Sequence, residues 1–259
     1  MRILRIAVVT GASSGIGKEF ARQIVRCYRE LDELWLIARS TEKLQNLKTE
    51  LEAGKNINIR IYDCDLQREY LYYRLQKDMA KSEPDIRMLV NAAGFGGIGR
   101  ADEMDVDFQC NMVDVNCQAL TRMTLLCLPY MSKGSRLVNV ASAAAFAPQP
   151  GFVVYAATKS YVYSFSRALG EELREKGIIV TAVCPGPVDT PFFEIAGTTK
   201  NPAKKASLAK PEAVVRQALC DSRNQKPVSV YGWQMKGAGA LARILPKRWI
   251  MRIMRSLNE

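Results

Sequence analysis

The sequence predicts one α/β domain, in which a doubly wound parallel sheet of about seven strands carries helices on both faces. Short apolar runs alternate with amphipathic segments along most of the 259 residues, a pattern typical of parallel strands with crossover helices. A glycine-rich turn follows the first apolar run, where such sheets bind ligands. Because no repeat or linker divides the chain, we expect residues 1–259 to form a single domain with a C-terminal helical extension.

The first half of the chain predicts four strands, each an apolar run of strand length that ends at a turn signal. These strands are Ile3–Thr10, Glu33–Ala38, Ile57–Tyr62 and Ile86–Val90. Amphipathic periodicity predicts the helices between them, which run to about Arg29 and over Thr41–Ala53 and Arg68–Lys81.

The second half begins with a glycine-rich link, Gly94–Gly99, which we expect to be flexible, and continues the alternation. Predicted helices are Met104–Met131, Tyr155–Lys176 and Glu212–Asp221, and predicted strands are Ser135–Ala141, Ile178–Cys184 and Val228–Tyr231. Residues 191–211 are rich in Gly, Thr, Lys and Asn and predict a substrate lid or, equally, a surface loop without a catalytic part. Residues 233–259 predict a basic amphipathic tail.

Thr10–Gly17 joins the first strand to the first helix and predicts a pyrophosphate site. Backbone N–H groups at a helix N-terminus attract anions, and glycines let the phosphate approach closely. The glycines are spaced G-x-x-x-G-x-G. In such folds an acidic residue after the second strand binds the ribose 2′-hydroxyl, whereas an arginine suits a 2′-phosphate. Arg39 lies 22 residues past Gly17, so we expect NADP(H) rather than NAD.

Composition excludes several classes of function. The chain has no histidine, which excludes histidine-based triads and most zinc enzymes. None of its seven cysteines forms a C-x-x-C pair, so we expect reduced thiols and no metal site. The net charge is +11, and the excess is concentrated in residues 200–210 and in the tail. A phosphorylated cofactor or an acidic substrate explains this charge as well as nucleic acid would, and we expect no nucleic-acid partner.

Tyr155 and Lys159 open the helix that follows a break rich in Pro and Gly. Residues four apart share one face of a helix, so the hydroxyl and the ammonium can reach one point. A nearby cation favours phenolate over phenol, so we expect Lys159 to lower the pKa of Tyr155 from its ordinary value of about 10. The pair therefore predicts a proton-transfer site, although Y-x-x-x-K also occurs on ordinary amphipathic helices.

Taken together, these motifs resemble the short-chain dehydrogenase/reductase family over nearly the whole chain. The residues in the family's order and spacing are Thr10–Gly17, Asn91-Ala92-Ala93-Gly94, Asn116, Ser142, Tyr155, Lys159 and Pro185-Gly186. The resemblance implies a Rossmann-type fold and hydride transfer between a nicotinamide and a carbonyl carbon, with no metal.

The resemblance also implies a role for each residue. Tyr155 is the implied general acid/base, Lys159 lowers its pKa and binds the nicotinamide ribose, and Ser142 orients the substrate oxygen. Asn116 is implied to bend its helix and to carry a water for the proton relay. The implied cofactor contacts are Gly11, Ser13, Ser14, Gly15, Ile16, Gly17, Arg39, Asp65, Leu66, Asn91, Ala92, Gly94, Tyr155, Lys159, Pro185, Gly186, Val188 and Thr190.

The C-terminal part departs from bacterial oxoacyl-carrier-protein reductases of the family, which usually end in a short Gly-Gly strand motif. Here Val230-Tyr231-Gly232-Trp233 precedes a longer tail, which resembles the branch of hydroxysteroid dehydrogenases and very-long-chain 3-oxoacyl reductases. We expect an apolar substrate pocket lined by Ser142, Phe146, Phe152, Phe192, Phe193 and Trp233.

Three hypotheses follow. The first is an NADP(H)-dependent oxidoreductase that interconverts a secondary alcohol and a ketone on a bulky apolar substrate, such as a hydroxysteroid or bile acid. The second is a 3-oxoacyl-thioester reductase, whose anionic carrier would suit the basic loop and tail. The third is a non-catalytic dinucleotide-binding scaffold, which predicts a damaged catalytic set, whereas Asn116, Ser142, Tyr155 and Lys159 are all present.

The resemblance implies a homodimer or homotetramer, and we favour the dimer. We expect a cytoplasmic protein, because Arg5 interrupts the N-terminal apolar stretch and a glycine-rich turn follows it in place of a signal cleavage site. The resemblance also implies a soluble form, since we find no N-terminal membrane anchor like that of eukaryotic members of the branch. The basic tail could still contact a membrane surface.

Overall fold

In the computed structural model, seven strands alternate with helices along the chain. The structure describes residues 3–53, 57–197, 208–233, 235–237, 248 and 251–252. The strands are β1 Arg5–Thr10, β2 Glu33–Ala38, β3 Asn58–Asp63, β4 Asp85–Asn91, β5 Arg136–Val140, β6 Ile179–Val183 and β7 Val228–Ser229. They form one sheet in the order β3-β2-β1-β4-β5-β6-β7, and every pairing is parallel.

Helices connect the strands. They are α1 Gly15–Cys27, α2 Thr41–Glu52, α3 Glu69–Ser82, α4 Val106–Val113, α5 Leu120–Cys127, α6 Val153–Glu172, α7 Phe192–Ala196 and α8 Pro211–Arg223. A π-helical segment, Asp114–Ala119, joins α4 to α5, and short 3-10 turns occupy Leu128–Tyr130 and Ala143–Phe146. Among the described helices, none is both long and apolar enough to span a bilayer.

The sheet is buried on both faces, as expected for parallel strands between helical layers. Alternate residues of β1 divide between two apolar clusters. Ala7 and Val9 pack with residues of α1, α2 and α8, whereas Ile6 and Val8 pack with residues of α3, α5 and α6. The predicted fold class, one doubly wound parallel sheet with helices on both faces, is confirmed.

Two predicted elements differ in detail. The helix predicted over Met104–Met131 is interrupted by the π-helical segment around Asn116, whose side chain bonds to the loop after β4 rather than facing solvent. The strand predicted over Val228–Tyr231 pairs only at Val228 and Ser229. The chain leaves the sheet after Ser229 and turns at Gly232, which has a φ of 83°, into a short helical stretch.

Candidate active site

A cavity of about 1080 Å³ lies along the carboxyl ends of the strands. The loops after β1, β2 and β3 supply Gly11, Ser13–Gly17, Arg39 and Asp65 to its wall, and the loops after β5 and β6 supply Ser142 and Thr190. Ligands of doubly wound sheets bind at this edge, next to the point where the strand order reverses. The sheet topology therefore collects motifs that are far apart in the sequence.

The glycine-rich turn after β1 is shaped for close approach of backbone. Gly11 has a φ of 67°, and a Cβ there would lie 2.8 Å from the Ala93 backbone. A Cβ on Gly17 would collide with the carbonyl oxygen of Gly11. Gly15, Ile16 and Gly17 line the cavity together with Ser13 and Ser14, so the N–H groups of the first turn of α1, which have no intrahelical partners, border it. This cradle fits the pyrophosphate of a dinucleotide.

The start of α2 forms a cationic corner of the cavity. Arg39 is 76% exposed, and its guanidinium lies 4.0 Å from Asp65 Oδ2. Ser40 caps the helix by accepting a hydrogen bond from the Lys43 backbone N–H at 3.4 Å, and both residues line the cavity. Two cations beside a helix N-terminus form an anion site. Neither Ser40 nor Lys43 was predicted as a site residue, although a serine directly before a predicted helix is a capping signal.

The loop after β3 supplies the wall beside Asp65 and Leu66. Asp65 Oδ1 accepts a hydrogen bond from the Gln67 backbone N–H at 3.0 Å, and the Gln67 side chain donates to Asn111 Oδ1 at 3.0 Å. Gln67 and Asn111 both line the cavity. They are 44 residues apart in sequence, and no local signal marks either one.

Asn91, a predicted cofactor contact, does not line the cavity. Its side chain is buried beneath the cavity, where Nδ2 donates to Thr124 Oγ1 at 3.0 Å and to Asn139 Oδ1 at 2.9 Å. As the last residue of β4 it points into the core, so it contributes to the sheet and not to the cavity wall. The other predicted contacts after β4 and β6 do line the cavity, namely Ala92, Gly94, Pro185, Gly186, Val188 and Thr190.

Ser142, Tyr155 and Lys159 come together in the cavity wall. Ser142 follows β5, and its Oγ accepts a hydrogen bond from the Ala144 N–H at 3.1 Å. Tyr155 and Lys159 lie one turn apart on α6 and are 7% and 5% exposed. The Lys159 ammonium donates to the Val140 carbonyl at 2.8 Å and lies 5.7 Å from the centre of the Tyr155 ring.

The prediction that the pKa of Tyr155 lies below its ordinary value is wrong for the ligand-free structure. Burial raises the pKa of Tyr155 to about 12, although a hydrogen bond with Ser142 acts in the opposite direction. Burial also lowers the pKa of Lys159 to about 8. Both shifts have one cause, because a water-poor environment disfavours the charged form of each group. Sequence spacing predicted the proximity of the two groups but could not show their desolvation.

Asn116 is fully buried in the π-helical segment. Its amide accepts a hydrogen bond from the Phe95 N–H at 3.0 Å and donates to the Phe95 carbonyl at 2.9 Å and to Thr158 Oγ1 at 3.0 Å. The side chain does not line the cavity; it joins the loop after β4 to α6. A Cβ on Gly94 would lie 2.8 Å from Asn116 Oδ1 and 3.3 Å from Lys159 Nζ, so Asn116 lies directly behind the cavity wall.

The part of the cavity around Tyr155 is aromatic. Of the eight phenylalanines in the chain, six line the cavity: Phe95, Phe108, Phe146, Phe152, Phe192 and Phe193. Phe95 and Phe108 were missed, although Phe95 lies within the glycine-rich link and was therefore a visible candidate. Trp233, a predicted pocket residue, is 80% exposed and lies outside the wall. Met235, and not Trp233, lines the cavity from this part of the chain. It packs on Gly186, where a Cβ would lie 2.7 Å from the Met235 sulfur.

The predicted lid is described only at its two ends. At the first end α7 places Phe192 and Phe193 in the cavity wall, and at the second Leu208 lines the cavity. Ala209 pairs with Val188 in an isolated parallel bridge. The basic middle, residues 198–207, and most of the tail predicted over 233–259 lie outside the described residues.

A family model described as short chain dehydrogenase matches residues 5–201. This chain belongs to the short-chain dehydrogenase family. The matched span includes the glycine-rich turn, Ser142, Tyr155 and Lys159, and the resemblance drawn from those motifs is confirmed. The protein is therefore an oxidoreductase.

Curated relatives of this short-chain dehydrogenase fall in the expected branch. Mouse 17-beta-hydroxysteroid dehydrogenase type 3 is 32% identical over 195 residues, which cover 72% of this chain and 61% of the mouse protein. This chain thus spans less than two thirds of that relative's length. Very-long-chain 3-oxoacyl-CoA reductase of the duck Anas platyrhynchos is 31% identical over 268 aligned positions, which cover 98% of this chain and 80% of the duck protein.

A solved structure with the same fold comes from Sphingobium yanoikuyae. That short-chain dehydrogenase, in complex with NADPH, is 26% identical and superposes with a TM-score of 0.79. The likeness covers 93% of this chain and 94% of that protein.

Proposed function

We propose that this short-chain dehydrogenase uses NADP(H) to interconvert a secondary alcohol and a ketone on a bulky apolar substrate of the hydroxysteroid type. The observation that carries the proposal is the gathering of six phenylalanines around Ser142 and Tyr155 in one cavity. Flat aromatic walls favour a rigid, apolar ring system, and the polar groups of Ser142 and Tyr155 fix the position of one oxygen atom. The similarity to a 17-beta-hydroxysteroid dehydrogenase over 72% of the chain supports this substrate class.

The side chains divide the proposed reaction between them. A bound nicotinamide dinucleotide supplies the hydride, for which proteins have no side chain. Tyr155 donates the proton to the ketone oxygen, and the Ser142 hydroxyl donates a hydrogen bond to the same oxygen. Lys159, held by the Val140 carbonyl, binds the ribose beside the nicotinamide and stabilises the tyrosinate that remains after proton transfer.

In the ligand-free site Tyr155 carries the proton that ketone reduction consumes. With a pKa of about 12, the hydroxyl remains protonated at neutral pH and is ready to donate. Reduction needs a donor, whereas oxidation of the alcohol needs tyrosinate.

The cationic corner at the start of α2 supports NADP(H) over NAD(H). Arg39 and Lys43 both line the cavity, and together with the α2 N-terminus they suit a dianionic 2′-phosphate. Arg39→Asp and Lys43→Ala should each weaken NADPH binding by about 10-fold or more while leaving NADH binding nearly unchanged. Lys48→Ala is the matched control, because Lys48 lies on the same helix but pairs with Glu52. Equal NADPH affinity in Arg39→Asp and the wild type would refute the preference.

A long-chain 3-oxoacyl thioester is the second candidate substrate, favoured by the relative that covers 98% of the chain. Turnover of 17-ketosteroids and of long-chain 3-oxoacyl-CoA esters with NADPH separates the two. We expect faster turnover of the ketosteroid, and reduction of thioesters alone would overturn the steroid proposal. Tight NADPH binding by the wild type without turnover of any carbonyl substrate would instead favour a scaffold that binds dinucleotides without catalysis.

We also propose a homodimer formed through α5 and α6. Leu125 on α5 is 56% exposed, and Tyr161 on α6 is 43% exposed. The Tyr161 hydroxyl shares a 2.8 Å hydrogen bond with Thr121, one turn before Leu125, so the two apolar side chains belong to one surface. Leu125→Asp should convert the dimer to a monomer in light scattering, and a wild-type protein that is monomeric at micromolar concentration would contradict the proposal.

A further inference from the structure

The ring of Tyr155 is enclosed by groups from three separate parts of the chain. Phe152, just before α6, stacks on it with ring centres 4.3 Å apart and 24° between the planes. Phe192, the first residue of α7, packs against it with ring centres 5.4 Å apart. Gly96, in the loop after β4, lies against both rings. A Cβ on Gly96 would lie 2.7 Å from Tyr155 Cδ2 and 2.8 Å from Phe192 Cζ.

These ring contacts decide where the hydroxyl of Tyr155 lies. A tyrosine side chain has two torsions, so fixing the ring plane fixes the oxygen. Ser142 lines the same cavity as Tyr155 but accepts its hydrogen bond from the Ala144 N–H, whereas the ammonium of Lys159 is directed to the Val140 carbonyl. Packing therefore supplies most of the restraint on the ring, and aromatic pairs in such offset and tilted arrangements attract one another beyond simple burial.

We propose that Gly96 and Phe192 are positioning residues for proton transfer, which hold the ring of Tyr155 against Phe152. This inference rests on the proposed role of Tyr155 as the proton donor. Phe192 connects the segment after β6 to the proton donor, so movement of that segment changes the surroundings of the hydroxyl. Gly96 belongs to the stretch that the sequence marked as a flexible link, but its backbone conformation is open to any residue. Steric room for two rings, and not flexibility, is what requires glycine there.

A pair of glycine variants tests the steric part. In Gly96→Ala the new methyl group must displace Tyr155 or Phe192, so kcat should fall by about 10- to 100-fold, as expected for a displacement of about 1 Å. The dissociation constant of NADPH should change by less than about twofold. Gly99→Ala is the matched control, because its Cβ would meet only the flexible Met104 side chain, at 3.0 Å. A Gly96→Ala variant with wild-type kcat would overturn the proposal.

A pair of phenylalanine variants tests the positioning role through the pH profile of kcat, which a change in substrate binding alone does not shift. Phe192→Ala admits water to the Tyr155 ring, so the alkaline limb of the pH profile of kcat should move to lower pH. Phe193→Ala is the control, because Phe193 lines the same cavity but packs on Phe192; it should weaken substrate binding without moving the limb. Phe192→Leu, which keeps an apolar side chain and adds no atom at the ring position facing Gly96, should move the limb less than Phe192→Ala.

A titration without cofactor or substrate separates this inference from the proposed function. Tyrosinate absorbance is followed in wild type, Phe192→Ala and Phe193→Ala, each with and without Tyr155→Phe, at pH values where circular dichroism shows a folded protein. The difference isolates Tyr155 among the ten tyrosines. Its pKa should fall from about 12 only in Phe192→Ala. Equal titration in both variants would refute the positioning role, whereas full turnover by Tyr155→Phe alone would refute the proposed function.

Discussion

Lys159→Met should make the ligand-free protein more stable at neutral pH while it abolishes activity. Burial lowers the pKa of Lys159 from 10.5 to about 8, and this shift corresponds to about 3 kcal/mol against the charged form in the folded state. Methionine has a similar length and carries no charge. It loses the 2.8 Å hydrogen bond to the Val140 carbonyl, which costs about 1 kcal/mol. The expected net gain at pH 7 is therefore about 2 kcal/mol.

The sign of this effect depends on pH in a defined way. Between pH 8 and pH 10.5 the unfolded wild-type chain binds a proton at Lys159 that the folded protein has released. The free energy of unfolding of the wild type therefore rises with pH over this window. The variant lacks the group, so its advantage should shrink from pH 8 upward and disappear near pH 10.5.

Urea denaturation of the ligand-free protein at pH 7 and pH 10 measures both quantities. Lys176→Met is the control, because Lys176 is exposed on the turn that follows α6, and it should change stability by less than about 0.5 kcal/mol at either pH. A Lys159→Met protein that is less stable than the wild type at pH 7 would refute the reasoning. So would a stability difference that is the same at both pH values.

Three further predictions concern the support of the cavity. Gly17→Ala places a methyl group against the Gly11 carbonyl, so NADPH binding measured by fluorescence should weaken at least 10-fold. Asn116→Ala removes both hydrogen-bond partners of the partly buried Phe95 backbone and should destabilise the protein by about 2 kcal/mol in urea denaturation. Burial raises the pKa of Asp221, but three hydrogen bonds and a nearby ammonium outweigh it and hold this pKa below its usual value. The stability that this carboxylate contributes at neutral pH should therefore be lost below about pH 4, and Asp221→Asn should flatten the acid side of a plot of Tm against pH.

The sheet and the catalytic motifs were predictable because their signals are local. β2 has the same bounds, Glu33–Ala38, in the sequence pattern and in the structure, since an apolar run ends there at Arg39. Gly11 and Gly17 were predictable because glycines are spaced in this way at a strand–helix junction where another backbone segment or a phosphate must come close to the chain. Tyr155 and Lys159 share a face because helix geometry requires it.

Other features depend on contacts between distant segments and left no local signal. The Gln67–Asn111 hydrogen bond joins the loop after β3 to α4, and neither residue belongs to a motif. Trp233 is apolar and near the predicted pocket in sequence, but the helical turn that it begins directs Met235 inward instead. The burial of Asn91 also follows from packing between elements. In each case the side-chain type was visible, whereas the direction in which it points was set by tertiary structure.

The opposite pKa shifts of Tyr155 and Lys159 form one electrostatic arrangement. In the resting site the lysine carries a charge that burial disfavours, and the tyrosine holds its proton more tightly than in water. When Tyr155 gives its proton to a ketone oxygen, a negative charge appears in the same water-poor surroundings, close to the ammonium that was already in place. An interaction that is stronger after proton transfer than before it lowers the barrier, because it stabilises the transition state more than the ground state. The instability that Lys159→Met should relieve is therefore the same free energy that the wild-type site uses in catalysis. A variant that kept both high stability and full activity would show that the two are separate.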